Sequence, residues 1–552
     1  MPISLAKRLF DAHGPLSLAA IVSGALLVLS FPPFDYSWLA WFAPTLFLYG
    51  LTRSVTRSFS WRAAWWAGWL LGWVFFFFST NWITYSMMEY GGMPAVPAYL
   101  ASALFSAVVA VFPALFAVIM AWLLCATGPR ALWLAPFVWV MSEWLRGVIT
   151  GVTWNALGIS QVDNRFPVAC ATFGGVWLVS GALVAAAALP VWLWENRFLE
   201  ARLRHAVVLI LLLFAGPATF LLSSSEVSER LPGALYQHHS VPVLGVQPNV
   251  PLTIYHSPNG PAEYFDGTLR LTRQTLAQSP LPPWGAGLIV WSESPLVLNY
   301  EQDPYVKQQM DALTRETGYH VIFSALARDG DSPYNSAQTL APDPDCQAPR
   351  QLTRYDKMRL VPFGEYVPLR PVLGYFVPPM VGDFHNGKEP VVNSLSLKTS
   401  YYSPADGYSA DTPNGLVRPG TFICYEAAYP NLVRQFVRNG ATLLVNISND
   451  AWFGNTEGAR QHLAHARMRA IENNRDLVRV TNSGVSALIT GRGRVVDELP
   501  QFQATAQIWH ASLNEEMTFY TRHGDWFPML CALVTLLAMG YALMRQRTRT
   551  RA

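Results

Sequence analysis

Apolar stretches of about 20 residues, the length that crosses a bilayer, recur through the first 225 residues and constrain the fold more than any other feature. They fall near 15–31, 35–52, 63–85, 97–125, 131–147, 168–193 and 205–223, and one more lies near 526–544. The expectation is a polytopic α-helical membrane protein of about eight spans. Charged residues make up only 14% of the 552, against about 25% in ordinary soluble domains. The start, Lys7-Arg8 and then an apolar run, has the outline of a signal peptide. No small-residue cleavage site stands out, so it is read as an uncleaved first span.

Arginines orient these spans, because positive residues collect on the cytoplasmic side. With the N-terminus inside, the inner loops hold Arg53, Arg57 and Arg62, then Arg130, then Arg197, Arg202 and Arg204, and the tail holds Arg545, Arg547, Arg549 and Arg551. Outer loops carry little more than Arg165, with Arg146 near a span end. Seven crossings then place the block 226–523 outside. The expected domains are a bundle over 1–225, a catalytic domain over 226–523, and a last helix with a basic cytoplasmic tail over 524–552.

The block 226–523 has ordinary polarity and turn clusters such as Ser257-Pro-Asn-Gly260. Short apolar or β-branched runs predict strands at Val241–Val246, Leu288–Trp291, His320–Phe323, Thr421–Cys424, Leu443–Ile447 and Leu477–Thr481. Helical patterns over Pro304–Thr317, Ala428–Asn439 and Arg460–Asn473 lie between them. Such alternation predicts an α/β layered domain. A net charge of +3 is too mild to argue for nucleic acid.

Five cysteines without a CxxC exclude a disulfide scaffold and a zinc site. Cys125, Cys170 and Cys531 sit in apolar stretches; Cys346 and Cys424 do not, and a bond between them is open but not expected. Cys424 ends a short apolar run, Gly420–Ile423, just before a helical pattern, the edge where α/β sheets place ligands. Alone it is as well explained as a space-filling core residue.

Two further stretches add chemistry. Leu288-Ile-Val-Trp-Ser-Glu-Ser-Pro295 delivers Glu293 at a strand end, and Arg354-Tyr-Asp-Lys-Met-Arg-Leu-Val-Pro-Phe-Gly-Glu-Tyr-Val-Pro368 sets Lys357 among apolar and aromatic neighbours. A thiol attacks as thiolate. An ammonium stabilises that thiolate and later an oxyanion, and a carboxylate can take the thiol proton and return it to a leaving group. Glu293 and Lys357 can therefore activate Cys424 without a histidine.

These segments resemble the catalytic segments of the nitrilase superfamily, and their combination with membrane spans resembles the apolipoprotein N-acyltransferases. Asn446-Ile-Ser-Asn-Asp-Ala-Trp-Phe-Gly454, the Gln461-His segment running to Ala470, Thr481-Asn-Ser-Gly484, Glu143-Trp-Leu-Arg-Gly147 and Gly158-Ile-Ser-Gln161 agree with it. The resemblance implies an α-β-β-α sandwich outside the cytoplasm, in the cell inner membrane, with a Glu293–Lys357–Cys424 triad. It implies ping-pong transfer of an acyl chain from a phospholipid, through a Cys424 thioester, to the amine of a diacylated lipoprotein. Glu293 would be the base and Lys357 the oxyanion stabiliser, with Glu365, Tyr425 and Glu426 lining or supporting the site. No cofactor, metal or nucleic acid is implied, and a monomer is expected. Where many members carry a substrate-contacting tryptophan, this chain has Tyr255-His256.

Other readings of the same residues remain. One is a membrane-tethered amidase acting on a soluble amide; another is a transporter or receptor with a non-catalytic nitrilase domain. Glu143 and Arg146, one turn apart, suit an ion pair. His462 and His465 form an H-x-x-H with no third ligand in sight, which argues against a metal. The apolar arm from Leu360, through Tyr375 and Phe376, to Val381 reads as a core loop or as a lid that dips into the outer leaflet.

Overall fold

The computed structural model describes residues 2–57, 59–195, 239–257, 259–279, 287–293, 299–342, 350–367, 370, 383–397, 400–403, 407–409 and 415–551. The chain forms two compact units, Met1–Ser225 with His523–Ala552, and Glu226–Arg522. The expected span at 205–223, Cys346, and the arm residues 371–381 lie outside the described residues.

The first unit is helical. Among the described residues, three helical runs are long and apolar enough to cross a bilayer: Ala95–Thr150, Ala171–Glu195 and Trp526–Thr548. Trp61–Ser79 with Ile83–Glu89, bent by 51°, makes a fourth if the pair counts as one. The other expected spans are shorter pieces. The first has a 16-residue apolar helix, Gly14–Leu29. The second is a 3₁₀ turn, Ser37–Trp41, followed by Ala43–Arg57. Within the run Ala95–Thr150, the stretch expected as one span at 97–125 is two helices, Ala95–Val109 and Val111–Thr127. Pro113 explains the break, since it has no N–H to give and its ring crowds the carbonyl four residues back.

Small residues let these helices approach. A methyl at Gly68 would come within 2.5 Å of the Pro113 carbonyl oxygen, so Trp61–Ser79 and Val111–Thr127 pack backbone to backbone. Two indoles, Trp144 and Trp177, both donate to the Asp525 carboxylate at 3.2 Å, tying the last helix to its neighbours. Glu143 Oε1 accepts from the Leu157 amide at 2.8 Å, and the Arg146 guanidinium lies 4.7 Å from the Phe76 ring centre. Gln161 gathers a second polar knot: its amide donates to the Ser37 carbonyl and accepts from the Trp41 indole.

The second unit is built on two facing sheets. In the first, His239–Gln247, Leu288–Trp291 and His320–Asp329 run parallel. Ser332–Ala341 and Arg350–Asp356 extend that sheet antiparallel on one side, and Thr505–Ser512 pairs antiparallel with His239–Gln247. In the second, Pro419–Ile423, Leu443–Ser448 and Leu477–Thr481 are parallel, followed by antiparallel Ala487–Ile489 and Val495–Val496.

Side-chain alternation sets the layers. Val241, Val243, Leu288, Val290 and Ile322 join a core with Phe422, Ile423, Leu444, Ile447 and Trp509. The intervening Leu244, Val246, Ile289, Trp291, Val321 and Phe323 face Tyr264, Phe265 and Leu269 of helix Gly260–Gln278 and Met310 and Leu313 of helix Pro304–Thr317. Helices Pro430–Arg438 and Gly458–Asn473 contribute Leu432, Val433, Phe436, Leu463 and Ala466 to the first of these cores. The result is a helix–sheet–sheet–helix sandwich.

His320, at the start of its strand, is 6% exposed, and its Nδ1 has no hydrogen-bond partner among the described residues. Burial lowers its pKa to about 4. The unfolded chain therefore binds this proton first as pH falls, and the neutral ring's contribution, complete above about 6.5, is lost on the way down. The shift corresponds to about 3 kcal/mol at pH 4. Hydrogen exchange along His320–Asp329 of the full chain should speed up as pH falls from 6.5 to 4, after correction for intrinsic rates, and His320→Gln should flatten that dependence.

Candidate active site

Three strand ends converge. Glu293 lies two residues beyond strand Leu288–Trp291, Lys357 follows Arg350–Asp356, and Cys424 follows Pro419–Ile423. All three side chains are buried, with Lys357 at 1% exposure. The strands that deliver Glu293 and Cys424 lie in different sheets, so the site exists only where the sheets face each other.

Lys357 sits between two carboxylates. Its Nζ donates to Glu365 Oε1 at 2.9 Å and to Glu293 Oε1 at 3.3 Å. Asn335 Nδ2 donates to the same two oxygens, at 2.7 and 2.8 Å. Backbone amides take the other oxygens: Asn449 N–H donates to Glu293 Oε2 at 2.9 Å, and Val361 N–H to Glu365 Oε2 at 2.8 Å. Burial alone would make the Lys357 ammonium easier to deprotonate, but Glu293 and Glu365 reverse this and hold its pKa well above the usual lysine range. A tight turn presents Glu365: its amide bonds the Val361 carbonyl at 2.9 Å, and Phe363 within the turn takes φ +62°.

Cys424 is a free thiol on a left-handed backbone, φ +49°, a conformation that non-glycine residues rarely adopt. The sharp change from strand to 3₁₀ turn lifts the residue out of the sheet. Burial and the Glu293 charge push its pKa up to about 12, while Lys357 and the Ser448 hydroxyl pull it down. The resting sulfur is therefore a protonated thiol. Desolvation outweighs the pull of the cation.

Glu426 joins the two sheets at this point. Its Oε1 accepts from the Tyr355 hydroxyl at 2.7 Å and from the Met358 and Arg359 amides at 2.7 and 3.1 Å; its Oε2 accepts from the Ile423 amide at 2.8 Å. The segments carrying Lys357 and Cys424 thus share one buried carboxylate. Burial raises its pKa to about 7, against the pull of those donors and of Lys357. The Tyr425 ring meets Tyr429 edge-on at 5.3 Å, and Arg359 lies 5.3 Å from the Tyr429 ring centre.

Glu293, Lys357, Glu365, Cys424, Tyr425 and Glu426 are thus brought together. Asn335 and Asn449 hold Glu293 and were not singled out as site residues from the sequence. Nothing in the polar strand around Asn335 marks it; Asn449 lies inside one of the resembling motifs. The side chains of Tyr255 and His256 fall outside the described residues. Among those described, no group of three or more His, Cys, Asp or Glu is placed to hold a metal.

Two families match separate parts of the chain. Residues 23–189 match the apolipoprotein N-acyltransferase N-terminal domain, and residues 258–516 match the carbon-nitrogen hydrolase family. The chain is 30% identical over 544 residues to the apolipoprotein N-acyltransferase of Geobacter metallireducens, covering 96% of this chain and 95% of that one. It is 33% identical over 545 residues to the Pseudomonas syringae pv. tomato protein of the same name, covering 97% of each. For that of Azotobacter vinelandii the figure is 33% over 550 residues, covering 98% and 96%.

The opposed charges at Cys424 give a signed expectation. Alkylation by iodoacetamide should keep rising beyond pH 10 in the wild type. Glu293→Gln removes the charge that disfavours the thiolate and should shift the profile to lower pH; Lys357→Met should shift it higher.

Proposed function

The chain belongs to the apolipoprotein N-acyltransferases, a family of acyltransferases, and on that premise we propose that it moves an acyl chain from a phospholipid to the α-amine of a diacylglyceryl-cysteine lipoprotein through a thioester on Cys424. The observation that carries this reading is the buried Glu293–Lys357–Glu365 cluster acting electrostatically on a protonated Cys424.

Glu293 takes the Sγ proton as sulfur attacks the ester carbonyl. Lys357, kept charged by its two carboxylates, stabilises the oxyanion. Collapse breaks the ester C–O bond, and the proton on Glu293 passes to the departing lysophospholipid. The lipoprotein amine then attacks the thioester; Glu293 accepts the amine proton and returns it to the leaving sulfur. Splitting one difficult exchange into two uses the higher reactivity of a thioester toward nitrogen. Glu365 fixes Lys357, Glu426 fixes the segments on either side, and Tyr425 lines the site.

Both substrates keep their chains in a bilayer, and extracting them would cost about 0.8 kcal/mol per methylene. Fusion to an apolar bundle avoids that cost. In this reading the bundle over 1–225 and the helix in 524–552 make about eight spans of the cell inner membrane. The arginine pattern puts the catalytic domain, 226–523, on the periplasmic side, and the enzyme acts as a monomer without a cofactor.

Purified full chain, given phospholipid vesicles with a labelled acyl chain and a diacylated lipopeptide, should release lysophospholipid and N-acylated peptide. Mass spectrometry should find the acyl adduct on Cys424, none in Cys424→Ser, and none above background in Glu293→Gln. Free fatty acid with unmodified peptide would mark a hydrolase and overturn the transfer.

A further inference from the structure

Three motifs that resemble the family's, running from Asn446, Gln461 and Thr481, supply no group that reacts in the scheme above, yet they meet around one ring. His462, on helix Gly458–Asn473, is fully buried. Its Nε2 lies 3.0 Å from the carbonyl oxygen of Cys424. On the other side, Nδ1 lies 3.0 Å from Arg479 Nη2 and 3.0 Å from Asp450 Oδ1. Arg479 Nη2 also donates to Asp450 Oδ2 at 2.7 Å, and the Ser448 hydroxyl donates to Asp450 Oδ1 at 2.7 Å. Arg479 Nη1 donates to Asn446 Oδ1. Gly484 leaves the room this needs: a methyl there would stand 2.4 Å from Asp450 Oδ2.

The partners assign the proton on the ring. With hydrogen on Nε2 alone, the ring donates to the Cys424 carbonyl and Nδ1 accepts one Nη2 hydrogen of Arg479, whose other hydrogen goes to Asp450. This leaves Nδ1 and Asp450 Oδ1 as two acceptors 3.0 Å apart, with Arg479 Nη2 donating to both groups between them. With hydrogen on Nδ1 alone, the ring would donate to Asp450 Oδ1, but Nε2 would face the lone pair of the Cys424 carbonyl, which can only accept, and Arg479 Nη2 would lose its acceptor on the ring. Burial and the Arg479 charge both lower the affinity of the ring for a second proton.

We infer that His462 is a positioning residue for acyl transfer: by donating Nε2–H to the Cys424 carbonyl it holds the nucleophile in its left-handed turn. The peptide unit is planar and trans, so fixing that carbonyl also fixes the N–H of Tyr425, which points the opposite way. A backbone held at φ +49° persists only where its surroundings over-determine it, and His462 supplies this constraint from beneath the reacting sulfur. Asp450 and Arg479 act on the ring and not on substrate.

This inference rests on the thioester reading, and the test separates the two. Acyl loading of Cys424 from labelled phospholipid vesicles is followed in the full-length wild type, His462→Leu and His462→Gln, with Cys424→Ser as blank. In His462→Leu the loading rate at saturating lipid should fall about 100-fold, the scale of a small misplacement of a reacting group. The half-saturating lipid concentration should stay within about threefold, since nothing in lipid binding is removed. Gln carries an N–H at nearly the reach of Nε2 and should restore about tenfold of the loss. Loading by His462→Leu within threefold of wild type, or equal loss in the Leu and Gln variants, overturns the proposal. Nitrogen NMR of histidine-labelled wild type, with the His462 signals identified by their loss in His462→Gln, adds a readout that does not depend on the Leu variant folding. A neutral ring with hydrogen on Nε2 at pH 7 is expected; hydrogen on Nδ1 alone overturns the proposal. If the wild type never loads, the thioester reading fails, while the NMR result still decides whether His462 holds the Cys424 carbonyl.

Discussion

The site depends on one ammonium shared by two carboxylates out of water. Lys357 is 1% exposed and touches both Glu293 and Glu365. Taking any one of these ions into the interior alone would cost several kcal/mol. Together, with Asn335 bridging the same oxygens and two backbone amides on the others, each charge is answered. The two carboxylates keep Lys357 a cation. The neutral thiol beside them follows from the same field.

The three ions of that cluster follow strands of the first sheet, the Asn449 amide reaches it from the second, and Glu426 ties the two together. One carboxylate collects donors from the strand that ends at Lys357 and from the strand that ends at Cys424. Behind it, the ring of His462 meets the Cys424 carbonyl from the helix side. The turn is therefore held on both sides of the sulfur, at the Ile423 amide and at the Cys424 carbonyl.

Much of this was legible in the residues. Leu288–Trp291 reads as a strand because a continuous β-branched and apolar run is what a buried parallel strand requires, Leu477–Thr481 keeps that pattern apart from Arg479, and both strands have those bounds. Pro304–Thr317 was legible from its apolar spacing and its proline start. Ser332–Ala341 was not: its buried residues include Asn335, Ser336 and Gln338, which carry no apolar alternation. Helix Gly260–Gln278 was missed for a related reason, since Thr268 and Thr272 complete its buried stripe. Glu293, Lys357 and Cys424 were legible as candidates because each ends a recognisable segment. Its supports were not, because an asparagine that bridges carboxylates looks like any other until the fold brings them together. In the bundle, hydropathy locates apolar segments but does not say which are continuous; Pro113 decides that for 97–125.

The protonated state of Cys424 has a bearing on the enzyme's durability. Oxidants attack thiolates, and susceptibility follows thiolate character and exposure. A sulfur that is 7% exposed, with its pKa pushed to about 12, offers peroxide or a stray disulfide almost nothing to react with between turnovers. Such a sulfur is shielded between turnovers by its own reluctance to ionise.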